Sequence, residues 1–428
     1  MILRNARVLT FDSGNRVLGG ASVEVLDDGS LGAIGTIRRR DPQEIDIGGR
    51  LLMPALINAH SHLYSTLARG MALPGAAPAN FTGILEKLWW RLDRALNLHD
   101  VYYSALVGLI DSAKCGVGTL VDHHSSPNAC AGSLDQIERA FREMGLRGAL
   151  CYEASDRNGE RQAAEGIKEN IRFLERARGF TDGLLGASFG LHASFTLSDR
   201  TLRRAVEANQ SLEAGFHIHV AEDACDAGAV GRLLAAGVLD RKTIAAHCLH
   251  INARDMAVLE RCQVNVVHNP QSNCNNAVGM ARLVELIGRG VLVGLGSDGY
   301  SPRMWDEFKT ALHVQRLRAR DPRVAGAETY AAAFLNNRTI ASKVWGMDIG
   351  RIEPGARADL ILVDYFPPTP IRSDNLFGHL LFGIANAPVD SLMVNGRFIV
   401  RGKECVTVDE RKIAAKAAAR ARALWERL

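Results

Sequence analysis

The chain has 428 residues, 47% of them apolar and 23% charged, with a net charge of +4 at neutral pH, so it is globular and long enough for one large α/β domain beside a smaller one. Its basic residues are interspersed with acidic ones and form no tract that could follow a phosphate backbone, which argues against nucleic acid as a partner. No apolar run reaches bilayer-spanning length, "MILRNARVLTFDSG" lacks the apolar core and cleavage site of a signal peptide, and the eight cysteines include no Cys-x-x-Cys pair, so the expected setting is a reducing cytoplasm without membrane contact.

In chain order, residues 1–54 give short β-like runs ("ILRNARVLTF", "SVEVL", "GAIG") punctuated by Gly, Asp and Asn. Residues 357–408 do the same in "ADLILVD", "SLMVNGRFIV" and "CVTVD", with an Asn-Gly hairpin signal in the second. Two β-rich ends are expected to share one sheet system. Between them, eight apolar runs alternate with helix-length amphipathic stretches: "PALINAHSH", "GTLVDH", "RGALCYE", "LLGASFGLHAS", "FHIHVAE", "KTIAAHCL", "QVNVVHNP" and "VLVGLGSD". That rhythm is the βαβ pattern of a parallel sheet, and eight repeats can close a (β/α)8 barrel. An open doubly wound sheet is the alternative, but no Gly-x-Gly-x-x-Gly turn follows the first strand. The last segment, "DERKIAAKAAARARALWERL", reads as an Ala-rich helix starting at Asp409 whose arginines form a solvated face.

In a (β/α)8 barrel the C-terminal ends of the strands face the active-site mouth. His60 and His62 end the first run, separated by one serine and therefore on the same side of an extended segment. His124 ends the second run and His192 the fourth; His219 lies late in the fifth, His247 in the sixth and His268 in the seventh, and Asp298 ends the eighth. Most of the 13 histidines thus converge on one rim. Neutral imidazoles with one carboxylate suit a borderline divalent cation, which lowers the pKa of bound water to about 7. Glu222, three residues after His219 in "HIHVAED", is placed to carry protons from such a water to a departing nitrogen, and His247 to orient or deprotonate it. His217 lies deeper in its strand and reads as packing or support for the ligands, while His268 is divided between a substrate-side and a structural role. Trp89 and Trp90 read as core more readily than as a platform for a flat ring. Glu153, Asp156 and Arg157 follow the third run and either read the polar edge of a ring or pair with one another.

The segments "PALINAHSH", "FHIHVAED", "AAHCLHI", "NPQSNCNNAVG", "GLGSDG" and "IEPGARADLILVD" together resemble the amidohydrolase superfamily, in the aminohydrolase branch with guanine, cytosine and S-adenosylhomocysteine deaminases and the triazine chlorohydrolases. The resemblance spans nearly the whole chain. It implies an α/β fold in which a distorted (β/α)8 TIM barrel (55–356) sits beside a small β-sandwich formed by both chain ends (1–54 and 357–408), followed by a C-terminal helix (409–428). Residue by residue, it makes His60, His62, His219 and Asp298 the metal ligands and Glu222 the proton shuttle, with His247 and Asp298 orienting and deprotonating the water. His192 matches the substrate-side histidine after the fourth strand, and Glu153 and Asn273 are further candidate substrate contacts. "GLLGASFGLHAS" holds no lysine that could bridge a binuclear centre, so one divalent metal per chain is expected, zinc first, with iron or manganese as alternatives. The expected partner is a small heterocyclic substrate, in a homo-oligomer.

The expected function is metal-dependent hydrolytic deamination of a nitrogen heterocycle such as a purine, pterin, pyrimidine or triazine. Within enzymes the alternative is hydrolysis of a cyclic amide or a carbon–halogen bond at the same site. In another class the alternative is a binding or assembly protein on the same fold, against which the complete set of His60, His62, His219, Glu222, His247 and Asp298 argues.

Overall fold

The computed structural model describes residues 1–72 and 75–428. The two chain ends interleave in one nine-stranded mixed sheet. Its seam is the strand Leu51–Pro54, which runs parallel to Ile2–Leu9 on one side (Arg7 opposite Leu51) and antiparallel to Leu360–Val363 on the other (Leu360 opposite Pro54). All four of its residues are buried, as a strand central to a sheet and covered on both faces requires. The Asn-Gly signal forms the expected hairpin between Val389–Val394 and Arg397–Arg401. Asn395 and Gly396 both take positive φ (50° and 76°), the conformation that matches the twist of paired strands in a two-residue turn. "CVTVD" departs from expectation. Only its cysteine belongs to a strand, Glu404–Cys405, because Thr407 turns away to hydrogen-bond Met144 O (3.0 Å) and Asp409 caps the next helix.

The eight expected barrel strands are present: β1 (Leu56–Ser61), β2 (Val117–His124), β3 (Arg147–Tyr152), β4 (Leu185–Ala187 and Phe189–Ala193), β5 (Phe216–Val220), β6 (Ile244–His247), β7 (Asn265–His268) and β8 (Leu292–Leu295). All neighbouring pairings are parallel. The hydrogen-bonded ladder is interrupted at two seams. At the first, β4 breaks at Ser188, its first piece pairing with β3 and its second with β5. Here Asn170, on the helix Glu160–Ala177, uses its whole amide group. It donates to Tyr152 O (2.8 Å) and Gly190 O (3.0 Å) and accepts from Tyr152 N (2.9 Å) and Gly190 N (3.0 Å). The strands lie so close here that a Cβ at position 190 would fall 2.3 Å from Tyr152 O, which only glycine avoids. At the second seam Asn337, on the helix Asn337–Trp345, donates to Ile57 O (2.7 Å) and Leu295 O (2.9 Å) and accepts from Leu295 N (2.9 Å). Just beyond it, Ser297 N and Asp298 N donate to His60 O, closing the ring between β8 and β1.

The helix Glu410–Trp425 starts at Asp409, whose carboxylate accepts from Lys412 N. Two of the terminal arginines do not form the expected solvated face: Arg420 and Arg427 both reach Asp100. Asp100 is the third residue of the helix Leu98–Lys114 and completes a capping box with Asn97, so a buried carboxylate at a helix N-terminus draws both guanidinium groups down. Among the described residues no helix is long and apolar enough to cross a membrane, and all eight cysteines are free thiols.

Candidate active site

The C-terminal ends of the barrel strands converge on a buried cluster of imidazoles and carboxylates. His60 and His62, on and just after β1, are 0% and 8% exposed. The backbone fixes the direction of two rings: His62 Nδ1 donates to His123 O (2.6 Å) and His219 Nδ1 to His192 O (2.8 Å). Each Nε2 is then a lone pair turned to the barrel axis, and the two stand only 3.1 Å apart. His60 is set by a longer chain beneath the rim. Its Nδ1 lies 2.8 Å from His217 Nε2, and His217 Nδ1 lies 3.7 Å from Cys151 Sγ, whose thiol donates to Asp122 O. That leaves His60 Nε2 buried with no hydrogen-bond partner among the described residues.

Asp298 faces these nitrogens. Its Oδ1 is 2.9 Å from His62 Nε2 and 3.7 Å from His60 Nε2, and its Oδ2 is 3.8 Å from His247 Nε2 and accepts from Ser272 Oγ. His247 and Asp298 both adopt a left-handed backbone (φ 73° and 56°), costing about 1–2 kcal/mol each for a residue with a Cβ, as happens where a site overrides local preference. His247 Nδ1 meets Asn273 Nδ2 at 2.8 Å, and its Nε2, also without a partner, points to the same space, 3.4 Å from Glu222 Oε2. Burial raises the proton affinity of both carboxyls but with opposite outcomes. In Asp298 it is overcome by the adjacent His60, His62 and His247 imidazoles, which hold the group well below the usual carboxylate range. Glu222 has burial reinforced by the charge of Asp298 and is pushed well above it. Two nearby carboxyls held at opposite proton affinities are the arrangement acid–base chemistry needs.

The donors fit a divalent cation. Four nitrogens or oxygens about 2.0 Å from a tetrahedral ion are about 3.3 Å from one another, and the contacts among His60, His62, His219 and Asp298 given above run from 2.9 to 3.7 Å. Lone pairs that face each other at such distances repel unless a positive charge lies between them.

Other candidates occupy the surroundings. His192 lines the pocket above the cluster, its Nδ1 against Thr196 Oγ1 (2.8 Å). Glu153 also reaches the pocket wall, but its oxygens are turned to histidines: Oε1 is 3.2 Å from both His62 Nδ1 and His123 Nδ1, and Oε2 is 3.9 Å from His192 Nε2. Asn273 is fully buried against His247 and is not among the pocket-lining residues. His268 is fully buried and likewise off the pocket wall. Sequence reasoning picked His124 at the end of β2, yet it is His123 that joins the cluster, within metal-ligand reach of His60, His62 and His219. His124 turns to the other side, against Ser126 Oγ and the rings of Tyr64 and Tyr152. The signal was available in the strand alternation, but only once the inward face of β2 was known.

The pocket opening onto this cluster has an aromatic and aliphatic wall of Phe81, Leu85, Trp89, Trp90 and Phe195. Trp89 and Trp90 are half-buried and line the space they were not expected to reach. Arg157 pairs with Asp93, whereas Asp156 accepts from Ser198 N and Thr201 Oγ1 at the start of the helix Asp199–Asn209.

A family model for the amidohydrolase family matches residues 51–399, and the chain belongs to that family. It is 30% identical over its whole length to a 5-methylthioadenosine/S-adenosylhomocysteine deaminase of Desulforudis audaxviator, covering 99% of that protein. It is also 29% identical, over 97% of this chain and 96% of the relative, to a 5'-deoxyadenosine deaminase of Methanosarcina mazei. Among solved structures, a zinc-bound adenosine deaminase from Xanthomonas campestris superposes with a TM-score of 0.86 at 22% identity, covering 100% of this chain and 98% of the other. The zinc complex of the atrazine chlorohydrolase TrzN from Arthrobacter aurescens gives 0.80 at 18%, with 98% and 99% covered. These two likenesses are of fold.

Proposed function

We propose that the protein is a metal-dependent aminohydrolase that removes an exocyclic amine from a nitrogen heterocycle, with the barrel of residues 55–356 as its catalytic unit. The observation that carries the reading is the juxtaposition of Glu222, its proton affinity raised, with His60, His62, His219 and Asp298, whose ligand atoms approach one another at 2.9–3.7 Å and of which His62, His219 and Asp298 line an aromatic pocket. Family membership and relatives named as deaminases of adenosine derivatives support it. One divalent cation, zinc in our reading, would be held by those four residues, and when bound it makes water a competent nucleophile at neutral pH. Water adds to the ring carbon that bears the amine. Glu222 takes one proton from that water and passes it to the ring nitrogen; the second proton, received from the added oxygen by Asp298, returns through Glu222 to the departing amine, so that a C–O bond replaces a C–N bond and ammonia leaves. His247, held through Nδ1 by Asn273, directs Nε2 at the same point and orients the attacking oxygen. Asp298, ionised beside it, receives the second proton. The eight free thiols support a reducing compartment.

The test combines elemental analysis of the purified protein with an ammonia-release screen over adenosine derivatives, purine bases, pterins, pyrimidines and triazines, with and without chelator. About one metal per chain with chelator-sensitive ammonia release is expected. Metal without ammonia from any ring would transfer the reading to amide or halide hydrolysis.

A further inference from the structure

The short helix Pro270–Asn275, directly after β7, delivers neighbouring side chains to two different groups of the cluster. Ser272 Oγ donates to Asp298 Oδ2, and Asn273 Nδ2 stands 2.8 Å from His247 Nδ1. Both receiving residues have a left-handed backbone, so a displacement of this helix would reach two strained positions at once. A helix of six residues does not hold its own place, since isolated helices so short are unstable in water. Its position is set by what its ends bind. At the N-terminal end Pro270 carries no N–H, and Gln271 N is the first donor that the helix leaves free. Asn269 stands at the N-cap and is of a type that commonly serves there. Its side chain nevertheless makes no cap bond, and its Nδ2 lies 3.5 Å from His247 Nδ1. The acceptor comes from 36 positions further on: Glu307 Oε2 takes Gln271 N at 3.0 Å.

Glu307, on the helix Met304–Ala319, is 0% exposed and is not among the pocket-lining residues. The bond to Gln271 N is its only side-chain hydrogen bond among the described residues, and its Oε1 has no partner there. Burial, reinforced by the charges of Asp298 and Asp306, pushes its carboxyl well above the usual range. At neutral pH the cap is therefore a neutral carboxyl accepting through its carbonyl oxygen. We propose that Glu307 is a positioning residue that fixes the first turn of Pro270–Asn275 and, through Ser272 and Asn273, sets the aim of Asp298 and His247. It touches neither the pocket nor the reacting atoms. The proposal rests on the aminohydrolase reading and gives the segment "NPQSN" a task in which Gln271 contributes its backbone and Ser272 and Asn273 their side chains. A space-filling role would be met by any side chain of similar volume, whereas a capping role requires an acceptor.

Three substitutions separate the two roles. Glu307→Gln keeps volume and acceptor, Glu307→Met keeps volume alone, and Ser272→Ala cuts one connection at its far end. Turnover is measured on zinc-loaded protein with the fastest substrate of the ammonia-release screen. Glu307→Met should lower kcat about 10–100-fold, the usual cost of removing a group that orients a ligand, and leave KM nearly unchanged. Glu307→Gln should restore wild-type values. In the Ser272→Ala background the Met substitution should cost markedly less, because residues acting through one another are not additive. A readout independent of turnover is amide hydrogen exchange of residues 270–276, faster in Glu307→Met and restored in Glu307→Gln, at unchanged metal content and unfolding midpoint. If Glu307→Met does not fold, Glu307→Asp, one methylene shorter, takes its place with the same expectations. Equal turnover of the Gln and Met variants, a loss expressed in KM alone, an equal cost of the Met substitution with and without Ser272, or unchanged exchange in Glu307→Met each overturns the positioning role. If the wild type releases no ammonia from any ring, the aminohydrolase reading falls instead. Exchange and the rate of zinc loss to a chelator, both faster in Glu307→Met and restored in Glu307→Gln, then decide on Glu307 alone.

Discussion

The two sides of the pocket are built in opposite ways. On the cluster side the groups sit at the ends of barrel strands, and each ring is aimed by a backbone carbonyl, a neighbouring imidazole or an amide: His123 O for His62, His192 O for His219, His217 for His60 and Asn273 for His247. On the opposite side Phe81, Leu85, Trp89, Trp90 and Asp93 come from short helical turns between β1 and β2, and their polar atoms are only partly paired. The first side is committed before any ligand arrives, whereas the second keeps its hydrogen-bonding capacity open. In the proposed reading chemistry is held by the scaffold and selectivity by the connections, as a barrel that varies its loops allows.

That contrast can be broken at graded points. The largest effect is expected from His62→Ala on the rim, which removes a lone pair from the cluster: metal should be lost on dialysis and turnover fall to background, and full metal retention would contradict the ligand set. Next, Glu222→Gln should keep the metal while lowering kcat by about 10²–10⁴-fold, the usual range for a positioned acid–base group. On the other wall, Trp90→Ala should raise KM about tenfold and change kcat less than threefold, since ring stacking contributes about 1–3 kcal/mol to binding. A kcat loss as large as that of Glu222→Gln would erase the distinction between the two sides.

The smallest effect tests their junction. Asp226 accepts from Ala221 N after β5 and from Phe195 N on the pocket wall (2.9 and 3.0 Å), tying the two sides together. Burial raises its carboxyl to about 6, against the two N–H donors that favour the anion. With the folded value above the unfolded one, its contribution to stability is complete below about pH 4 and is lost as pH rises through 6. From pH 4 to 8 the wild type should therefore lose about 2–3 kcal/mol from this group. Asp226→Asn lacks that titration, so the stability difference between the two proteins should shift in favour of the variant by that amount over the same interval in urea unfolding. Parallel pH profiles would remove Asp226 from the account.

What could be read from the sequence follows the same division. His60 and His62 were legible because strand alternation is local, and Glu222 because it follows His219 by three residues. The choice between His123 and His124 was not local, since it depends on which face of β2 looks inward. Asp93 and Arg157 stand 64 positions apart, and no periodicity connects a turn before β2 with one after β3. Asn170 and Asn337, which carry the two seams, look like ordinary polar residues on amphipathic helices until the broken ladders beside them are seen. The hairpin at Asn395–Gly396 was readable because its turn chemistry lies within two residues.

The interleaved sheet of the chain ends has a consequence for biosynthesis. Leu51–Pro54 pairs with Leu360–Val363, so a nascent chain exposes one edge of that strand while some three hundred further residues are being made. Such an edge, flanked by buried Leu51, Leu52 and Met53, is a template for pairing with other chains. A ribosome stalled after the barrel but before residue 360 would therefore hold a nearly complete barrel with that strand edge uncovered, a natural point for a chaperone to stand guard.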